Sequence, residues 1–411
     1  MTVAATAPRS ARHRWGLYLS LALIGVATLS PGHSGRAGIR PPGQDGFIVD
    51  ALLNVFLFVP FGAALQPRGT SALRSLALGV LCSSAIELGQ LGIPGRVASV
   101  RDIGFNVLGV LAGWTLARSA PLWMWPHPRT AGRLALAAAA TASALMAAIG
   151  LLLGPAFPRT AYFGGLAHHF GHMQPYRGRV LSAAVGDLDV RSGRNPDSAA
   201  LRRRLLAGER LHIQGVAGPP VTDLAPLLTI HDQHLREILL VGVDRSDLVF
   251  RYRTWAAALG LDSPEVRVPG AARRLRTGDP FTVTVAPQRR GYCVQVNESS
   301  MCHLGFTLGS GWALLLHAQA PPVWLQPGLT AMWMVGLGFP AGFWTRSVRW
   351  IAPAGGLLVI SLALLPGATG LVATPVGEML LVPLGFVLGV LVHRWLDRSR
   401  RRRTASSQPN R

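Results

Sequence analysis

The sequence predicts a polytopic α-helical membrane protein of about eight transmembrane helices, with an inserted extracytoplasmic all-β sandwich domain. Three observations predict this fold class. Hydrophobic residues make up 49% of the 411 residues and charged residues only 14%, whereas soluble domains carry about 25% charged residues. Long apolar runs alternate with short Arg-rich connectors. One segment, 180–318, instead shows short β-type runs between turn residues.

The apolar runs give the positions of the membrane helices. A spanning helix needs about 20 apolar residues, and several of the runs are close to the lower limit of that length. The first run follows Arg9, Arg12 and Arg14, as in a signal peptide, but no Ala-x-Ala cleavage site comes after it. We therefore interpret it as a membrane helix. The eight runs lie at 15–29, 48–65, 72–92, 103–117, 133–154, 323–343, 351–371 and 376–396.

The positive charges predict the orientation. The formal net charge is +21, and every basic residue is Arg. Such an excess would suggest nucleic-acid binding in a soluble protein, but cytoplasmic loops of membrane proteins collect positive charge. We therefore expect membrane lipids as partners and no nucleic acid. Placing the N-terminus inside puts these residues in inner segments: Arg68, Arg74, Arg118, Arg129, Arg133, Arg346, Arg349 and the tail 398–403. The outer connectors then carry Arg36, Arg40, Arg96 and Arg101.

This orientation predicts a multi-pass protein of the cell (plasma) membrane with both termini cytoplasmic and the β domain outside. The predicted domains are a transmembrane domain of about five helices at 1–154, the sandwich at 155–320, about three transmembrane helices at 321–397 and a basic cytoplasmic tail at 398–411.

Short runs of β-forming residues separated by Gly, Pro, Asp and Asn predict the sandwich. We assign EILLVGV, FTVTVAP and also WALLLHA (312–318) to strands, and AALRRRLLAGER (199–210) to a short helix or loop. Cys293 and Cys302 flank a polar turn in GYCVQVNESSMCHLGF. A hairpin there would bring the two sulfurs together, and an oxidising compartment favours the disulfide. Cys82 lies within an apolar run and is expected to be a buried thiol.

Polar residues cluster at the predicted outer ends of the second, third and fourth helices. Ionisable groups in a spanning segment cost several kcal/mol, so they usually face partners or a cavity. Residues three or four apart share a helix face. The side chains within each of the pairs Asp50 and Asn54, Glu87 and Gln90, and Asp102 and Asn106 therefore point in the same direction. Two interpretations remain open: a structural ion-pair network, or a ligand-binding or catalytic pocket that opens outward. The candidate ligand-binding residues are Asp50, Asn54, Glu87, Gln90, Arg96, Arg101, Asp102 and Asn106, with Glu378 at the start of the last helix as a further member.

The same residues carry a family resemblance. The segments DALLNVFLFVPFGAAL (50–65), IELGQ (86–90) and RDIGFNVLGVLAGW (101–114) resemble the core of the VanZ-like family in order and spacing. The resemblance implies a membrane protein associated with low-level resistance to teicoplanin-type glycopeptide antibiotics, and it names no reaction. PLLTIHD (226–232) and EILLVGVDRSDLVFRYRT (237–254) resemble a laminin-G or concanavalin-like sandwich, which implies sugar binding or a spacer role.

Other signals have ordinary structural explanations. His168, His169 and His172 lack a further metal ligand nearby, and His231 and His234 flank a probable turn. Asp244 and Asp247 fit a hairpin turn better than a Ca²⁺ site. The segment Val382–Gly385 repeats the form of Val59–Gly62, which indicates an internal repeat. Arg clusters at 202–204, 273–276 and 289–290 make the sandwich basic.

Three functional hypotheses follow. The first is a cell-envelope protein that recognises an amphiphilic or glycan-bearing ligand, such as a cell-wall glycan or lipoglycopeptide, at the outer leaflet. The second is an enzyme acting on a lipid-linked or wall-linked substrate, with Glu87 or Asp102 as general acid or base. The third is a structural scaffold. No nucleotide-binding loop, nucleophile elbow or zinc motif occurs in the sequence, so we predict no cofactor and no metal.

Overall fold

The computed structural model describes residues 9–29, 38–39, 47–93, 96–171, 173–261, 263–316, 322 and 324–405. Arg36, Arg40 and His172 lie outside the described residues. The chain divides into two compact units, residues 1–131 and 132–411. The first unit contains the helices α1 (Arg9–Leu29), α2 (Phe47–Leu65), α3 (Ala72–Gln90), α4 (Val100–Arg118) and α5 (Ala120–Met124). It also contains two short parallel strands, β1 (Gly38–Ile39) and β2 (Val97–Ala98).

Helices α2 and α4 pack against each other through glycines. A methyl group added at Gly62 would overlap the carbonyl oxygen of Val110, because no side chain separates the two backbones there. Gly109 and Gly113 leave the same space for the carbonyl oxygens of Val55 and Val59. Small residues of this kind allow close packing of membrane helices. The order of these contacts shows that α2 and α4 run parallel.

The second unit combines helices with the sandwich. Pro128–Leu152 forms α6, which lies almost entirely in this unit, and Gly150 leaves space for the Thr369 side chain. Ser361 donates a hydrogen bond to Ser143, which joins α6 to the helix that contains Ser361. The remaining helices are α7 (Ser198–Ala207), α8 (Ala313–Leu316), α9 (Gln326–Trp344), α10 (Ile351–Thr369) and α11 (Val376–Ala405).

The sandwich consists of two six-stranded antiparallel sheets, as predicted. The first sheet has the order β11-β10-β9-β8-β3-β6 and the second the order β14-β13-β12-β7-β4-β5. The strands are β3 (Phe163–Leu166), β4 (Arg179–Val185), β5 (Leu188–Asp189), β6 (Gly193–Arg194), β7 (Leu211–Val216), β8 (Ala225–His231), β9 (Glu237–Asp244), β10 (Asp247–Tyr252), β11 (Val266–Val268), β12 (Pro280–Pro287), β13 (Tyr292–Val296) and β14 (Ser299–Leu304).

Alternation along the strands explains how the sheets bury their core. In β12 the side chains of Phe281, Val283 and Val285 are buried while their neighbours are more exposed, as expected for a strand with one face inward. The predicted disulfide between Cys293 and Cys302 is present and joins β13 to β14. Cys82 is a free, partly buried thiol.

One strand assignment was wrong. Within WALLLHA, Trp312 ends a 3-10 helix and Ala313–Leu316 form α8. A short apolar run does not distinguish a strand from a buried helical segment by its periodicity. Of the segment 199–210, predicted as a short helix or loop, the residues up to Ala207 belong to α7 (Ser198–Ala207), which Asp197 caps by accepting from the Ala200 N–H.

Five helices of the described chain are long and apolar enough to cross a membrane: Ile48–Arg68, Ala72–Gln90, Pro128–Leu152, Val348–Thr369 and Val376–Arg402. The apolar part of α1, Trp15–Leu29, is shorter. The protein therefore has membrane helices and a separate two-sheet domain, while the count of about eight crossings stays a prediction.

Candidate functional site

The candidate residues of the first unit meet at one end of its helix bundle. Since α2 and α4 run parallel, Asp50 and Asp102 lie in the first turn of their helices at the same end. Glu87 and Gln90 lie in the last turn of α3 and are buried. The hydrogen bonds of these residues show which of them hold the fold together.

Glu87 fixes the connector that leads into α4. Its Oε2 accepts a hydrogen bond of 2.6 Å from the backbone N–H of Ser99, the residue that precedes α4. The carboxylate of Asp102 lies near enough to Glu87 to interact with it electrostatically. With Asp50, this end of the bundle thus contains three carboxylates, of which Glu87 is buried and the other two are partly exposed.

Gln90 and Arg96 join this end of the bundle to α1. The side-chain amide of Gln90 donates to the carbonyl oxygen of Thr28 at 3.0 Å, and the Arg96 guanidinium donates to the carbonyl oxygen of Ala27 at 2.8 Å. The last residues of α1 therefore belong to the site. No sequence pattern indicates this contribution, because both acceptors are backbone carbonyl groups, which every residue carries.

Asn106 is the most deeply buried of the candidate residues, with 2% of its surface exposed. Its Nδ2 donates to the Ser83 hydroxyl at 2.8 Å. Its Oδ1 has no hydrogen-bond partner among the described residues. A buried acceptor without a partner costs about 1–3 kcal/mol. Asn106 thus keeps one buried acceptor that has no partner in the described part of the chain.

Two further residues complete the set. Asn54 lies one turn after Asp50 on α2 and is partly buried. Its side-chain amide makes no hydrogen bond to the part of the chain that the structure describes. Asp50, Arg101 and Asp102 all have interaction partners. In this site some residues, chiefly Glu87, are hydrogen-bonded to other parts of the domain. The side-chain amides of Asn54 and Asn106 can still form further hydrogen bonds.

Comparison with known families fits this arrangement. Residues 13–123, which include α1 to α4 almost completely, match the family model VanZ/LLP1. Residues 13–123 are thus similar to this family, and we call the first unit the VanZ-like domain. No curated protein and no solved structure matches the chain. The resemblance predicted from the sequence is thus confirmed for residues 13–123, and the inserted domain is confirmed as a two-sheet sandwich.

Glu378 has its partners in the second unit. Its carboxylate accepts hydrogen bonds from the Thr307 hydroxyl, at 2.8 Å, and from the backbone N–H of Gly309. It lines a cavity of about 590 Å³ together with Thr330 and Trp312. This cavity was not predicted, because the segment that completes it follows the sandwich and carries no charged residue.

A second cavity, of about 250 Å³, lies in the sandwich beside the ends of α6 and α10. Phe250, Tyr252 and Tyr292 line it, and the rings of Tyr252 and Tyr292 are 5.4 Å apart. Burial raises the pKa of Tyr292 to about 12 and raises that of Tyr252 well above its ordinary value. Both phenols are therefore neutral in the folded domain at physiological pH.

The remaining candidate residues have structural partners. Asp244 forms an ion pair of 2.6 Å with Arg267, and Asp247 lies 3.7 Å from the same guanidinium. His231 stacks on Phe163, and Asp232 accepts from the backbone of His234 to form the turn. Among the described residues, no group of three or more His, Cys, Asp or Glu side chains is arranged to hold a metal ion.

Proposed function

We propose that this chain is a cell-envelope membrane protein that recognises an amphiphilic or glycan-bearing ligand at the outer leaflet through its VanZ-like domain. The observation that supports this proposal is the buried Oδ1 of Asn106, which has no partner in the described chain. A ligand hydroxyl or amide N–H would satisfy it. Sugars and peptides carry many such donors, and the family is linked to glycopeptide resistance.

The hydrogen bonds divide the candidate residues into two groups. Glu87, Gln90 and Arg96 bind backbone atoms of the connector and of α1, so their first role is to shape the site. Asn54 and Asn106 retain hydrogen-bonding capacity for a ligand. In this proposal Asp50, Arg101 and Asp102 set the charge at the mouth of the site.

The experiment is antibiotic protection in a sensitive Gram-positive host, comparing teicoplanin with vancomycin at matched membrane levels of protein. The key variant is the double change Ser83→Ala with Asn106→Leu. Removing both partners of a buried hydrogen bond is nearly neutral for stability, whereas removing one leaves the other unpaired. We expect this variant to fold and to lose the teicoplanin protection that the wild type gives. Full protection from it would refute the proposed site.

Glu87→Gln distinguishes recognition from catalysis. A glutamine Oε1 still accepts the hydrogen bond from Ser99, so the connector keeps its position while the charge and the acid–base capacity disappear. Recognition predicts that protection survives in Glu87→Gln. Loss of protection in a variant that is as stable as the wild type would favour the enzyme hypothesis instead.

A further inference from the structure

The helix pair α9–α11 of the second unit reproduces the pair α2–α4 of the VanZ-like domain contact by contact. Gly342 leaves space for the carbonyl oxygen of Phe386, as Gly62 does for that of Val110. Gly385 and Gly389 leave space for the carbonyl oxygens of Val335 and Phe339. In the first pair, Gly109 and Gly113 do so for Val55 and Val59, at the same sequence intervals.

This register aligns the two halves of the chain. It places Pro340 on Pro60 and Arg394 on Arg118. The alignment of Val382–Gly385 with Val59–Gly62 that the sequence indicated is therefore wrong, because Val382–Gly385 belongs to α11, the counterpart of α4. Helices α3 and α10 also correspond in order and have the same length of 19 residues.

Backbone pairing outside the helices follows the same repeat. In the first unit, β1 precedes α2 and pairs with β2, which precedes α4. In the second unit, the backbone N–H of Val372, shortly before α11, donates to the carbonyl oxygen of Phe306, in the segment leading toward α9. In chain order α6, α9, α10 and α11 thus correspond to α1, α2, α3 and α4, and we call each set a repeat; the sandwich follows α6, the first helix of the second repeat.

The alignment also connects the two candidate sites. Glu378 corresponds to Asp102 and Thr330 to Asp50, in the first turns of their helices or close to them. Both Glu378 and Thr330 line the cavity of about 590 Å³. The cavity therefore lies at the position in the second repeat that the candidate site occupies in the first. Asn54 and Asn106 are replaced by Met334 and Val382, so the two sites differ in chemistry.

The walls of the cavity favour neutral hydrogen-bond donors. A carboxylate has about four acceptor positions, and Glu378 uses two of them for Thr307 and Gly309. Thr330 accepts from the Trp312 indole at 3.0 Å, which holds that ring at the wall. Arg267 is ion-paired with Asp244 and with Glu265, which also lines the cavity. Its charge is therefore compensated, and the carboxyl groups of Glu265 and Glu378 disfavour a phosphate.

Ser310 adds a hydroxyl and Phe306 adds a second aromatic ring to the wall. Apolar and aromatic walls with a few placed polar groups are typical of small-molecule sites. We infer that this cavity is a second binding site, separate from the one in the VanZ-like domain, for a polyhydroxylated, sugar-type headgroup. Binding in this cavity does not require a ligand in the VanZ-like domain.

The test is photolabelling of the full-length protein in lipid nanodiscs with a hexyl glucoside that carries a diazirine on the first chain carbon. Labelled peptides are mapped by mass spectrometry. We expect saturable labelling of peptides covering residues 305–313 and 326–330. Excess unlabelled hexyl glucoside should compete, and hexyl phosphocholine should not. Unsaturable labelling, or equal competition by both compounds, would overturn the inference without requiring any variant.

Variants then test the residues. Thr330→Val preserves volume and removes the hydroxyl, and together with Glu378→Gln it should reduce labelling at least tenfold. Ser361→Ala, which removes a hydroxyl on α10 bonded to Ser143, is the matched control and should label like the wild type. Unchanged labelling in the double variant would mean that Glu378 only anchors the segment at Thr307. Labelling should persist in the Ser83→Ala, Asn106→Leu variant. This result distinguishes a failure of the proposed site in the VanZ-like domain from a failure of the second binding site.

Discussion

At the scale of single residues, two hydrogen bonds position the polar groups of the first unit: Glu87 accepts from the backbone of Ser99, and Asn106 donates to the hydroxyl of Ser83. The carboxylates and amides at helix ends were visible in the sequence because charged groups are rare in apolar runs. That Glu87 binds Ser99 and Asn106 binds Ser83 depends on the rotation of α3 against α4. That rotation follows from packing, which no local pattern encodes.

The buried tyrosines of the sandwich give a prediction about pH. The pKa of Tyr292 is about 12 in the folded domain, whereas the pKa of a tyrosine in an unfolded chain is about 10. The neutral phenol is the favoured form in the folded state, so its stabilising contribution is complete below about pH 10 and is lost as the pH rises toward 12. We expect the thermal unfolding temperature to fall over this range, and to fall less in Tyr292→Phe.

The measurement is thermal unfolding followed by circular dichroism at a series of pH values, on both proteins in the same detergent. Tyr292→Phe removes the titrating group and keeps the ring against Phe250, with which Tyr292 makes an edge contact at 4.9 Å. Parallel pH profiles for the two proteins would show that Tyr292 does not contribute to the alkaline transition.

At the scale of elements, composition predicted the helices and missed part of the sheets. The apolar runs gave α2, α3, α6, α10 and α11, because a membrane helix has a length and polarity that few other structures share. Strands β3, β4 and β7 were missed, since glycine, alanine or polar residues interrupt their apolar pattern. The strand wrongly assigned at 312–316 shows the same limit for short apolar runs.

The glycine contacts give a prediction about helix packing. Gly342→Ala would place a methyl group on the carbonyl oxygen of Phe386, and Gly109→Ala would place one on that of Val55. Overpacking of this kind costs about 1–3 kcal/mol or more. We expect both variants to lose several degrees of thermal stability. Gly336→Ala and Gly104→Ala, in the same two helices, meet no atom within 4 Å and serve as matched controls.

Thermal stability is measured by size-exclusion chromatography after heating, with each variant compared to the control in its own helix. If Gly342→Ala and Gly336→Ala were equally stable, the close packing of α9 on α11, and with it the repeat, would lose its main support. If only Gly109→Ala and Gly104→Ala were equally stable, the close packing would be refuted for α2 and α4 alone.

At the scale of the whole molecule, the repeat explains how a sandwich is accommodated in a membrane protein. Each repeat has a connection between its first and second helices: residues 30–46 in the first, and the sandwich with its flanking segments in the second. If both repeats cross the membrane in the same direction, these two connections lie on the same side. If all four helices of each repeat cross the membrane, the chain returns to its starting side after each repeat, as the predicted count of about eight crossings and two cytoplasmic termini would require.

The disulfide provides the test of this topology, because structural disulfides persist in oxidising compartments and are rare in the cytosol. In intact cells treated with a membrane-impermeant phosphine, Cys293 and Cys302 should become reactive toward an impermeant maleimide. Without the phosphine they should not react. Cys82, in α3, should stay unlabelled in both conditions, and the variant Cys293→Ser, Cys302→Ser reports any labelling of Cys82. If the two sandwich cysteines react only after the cells are lysed, the sandwich faces the cytoplasm. The positive charges then do not set the orientation, and a ligand site at the outer leaflet would have to be sought at the opposite ends of the helices.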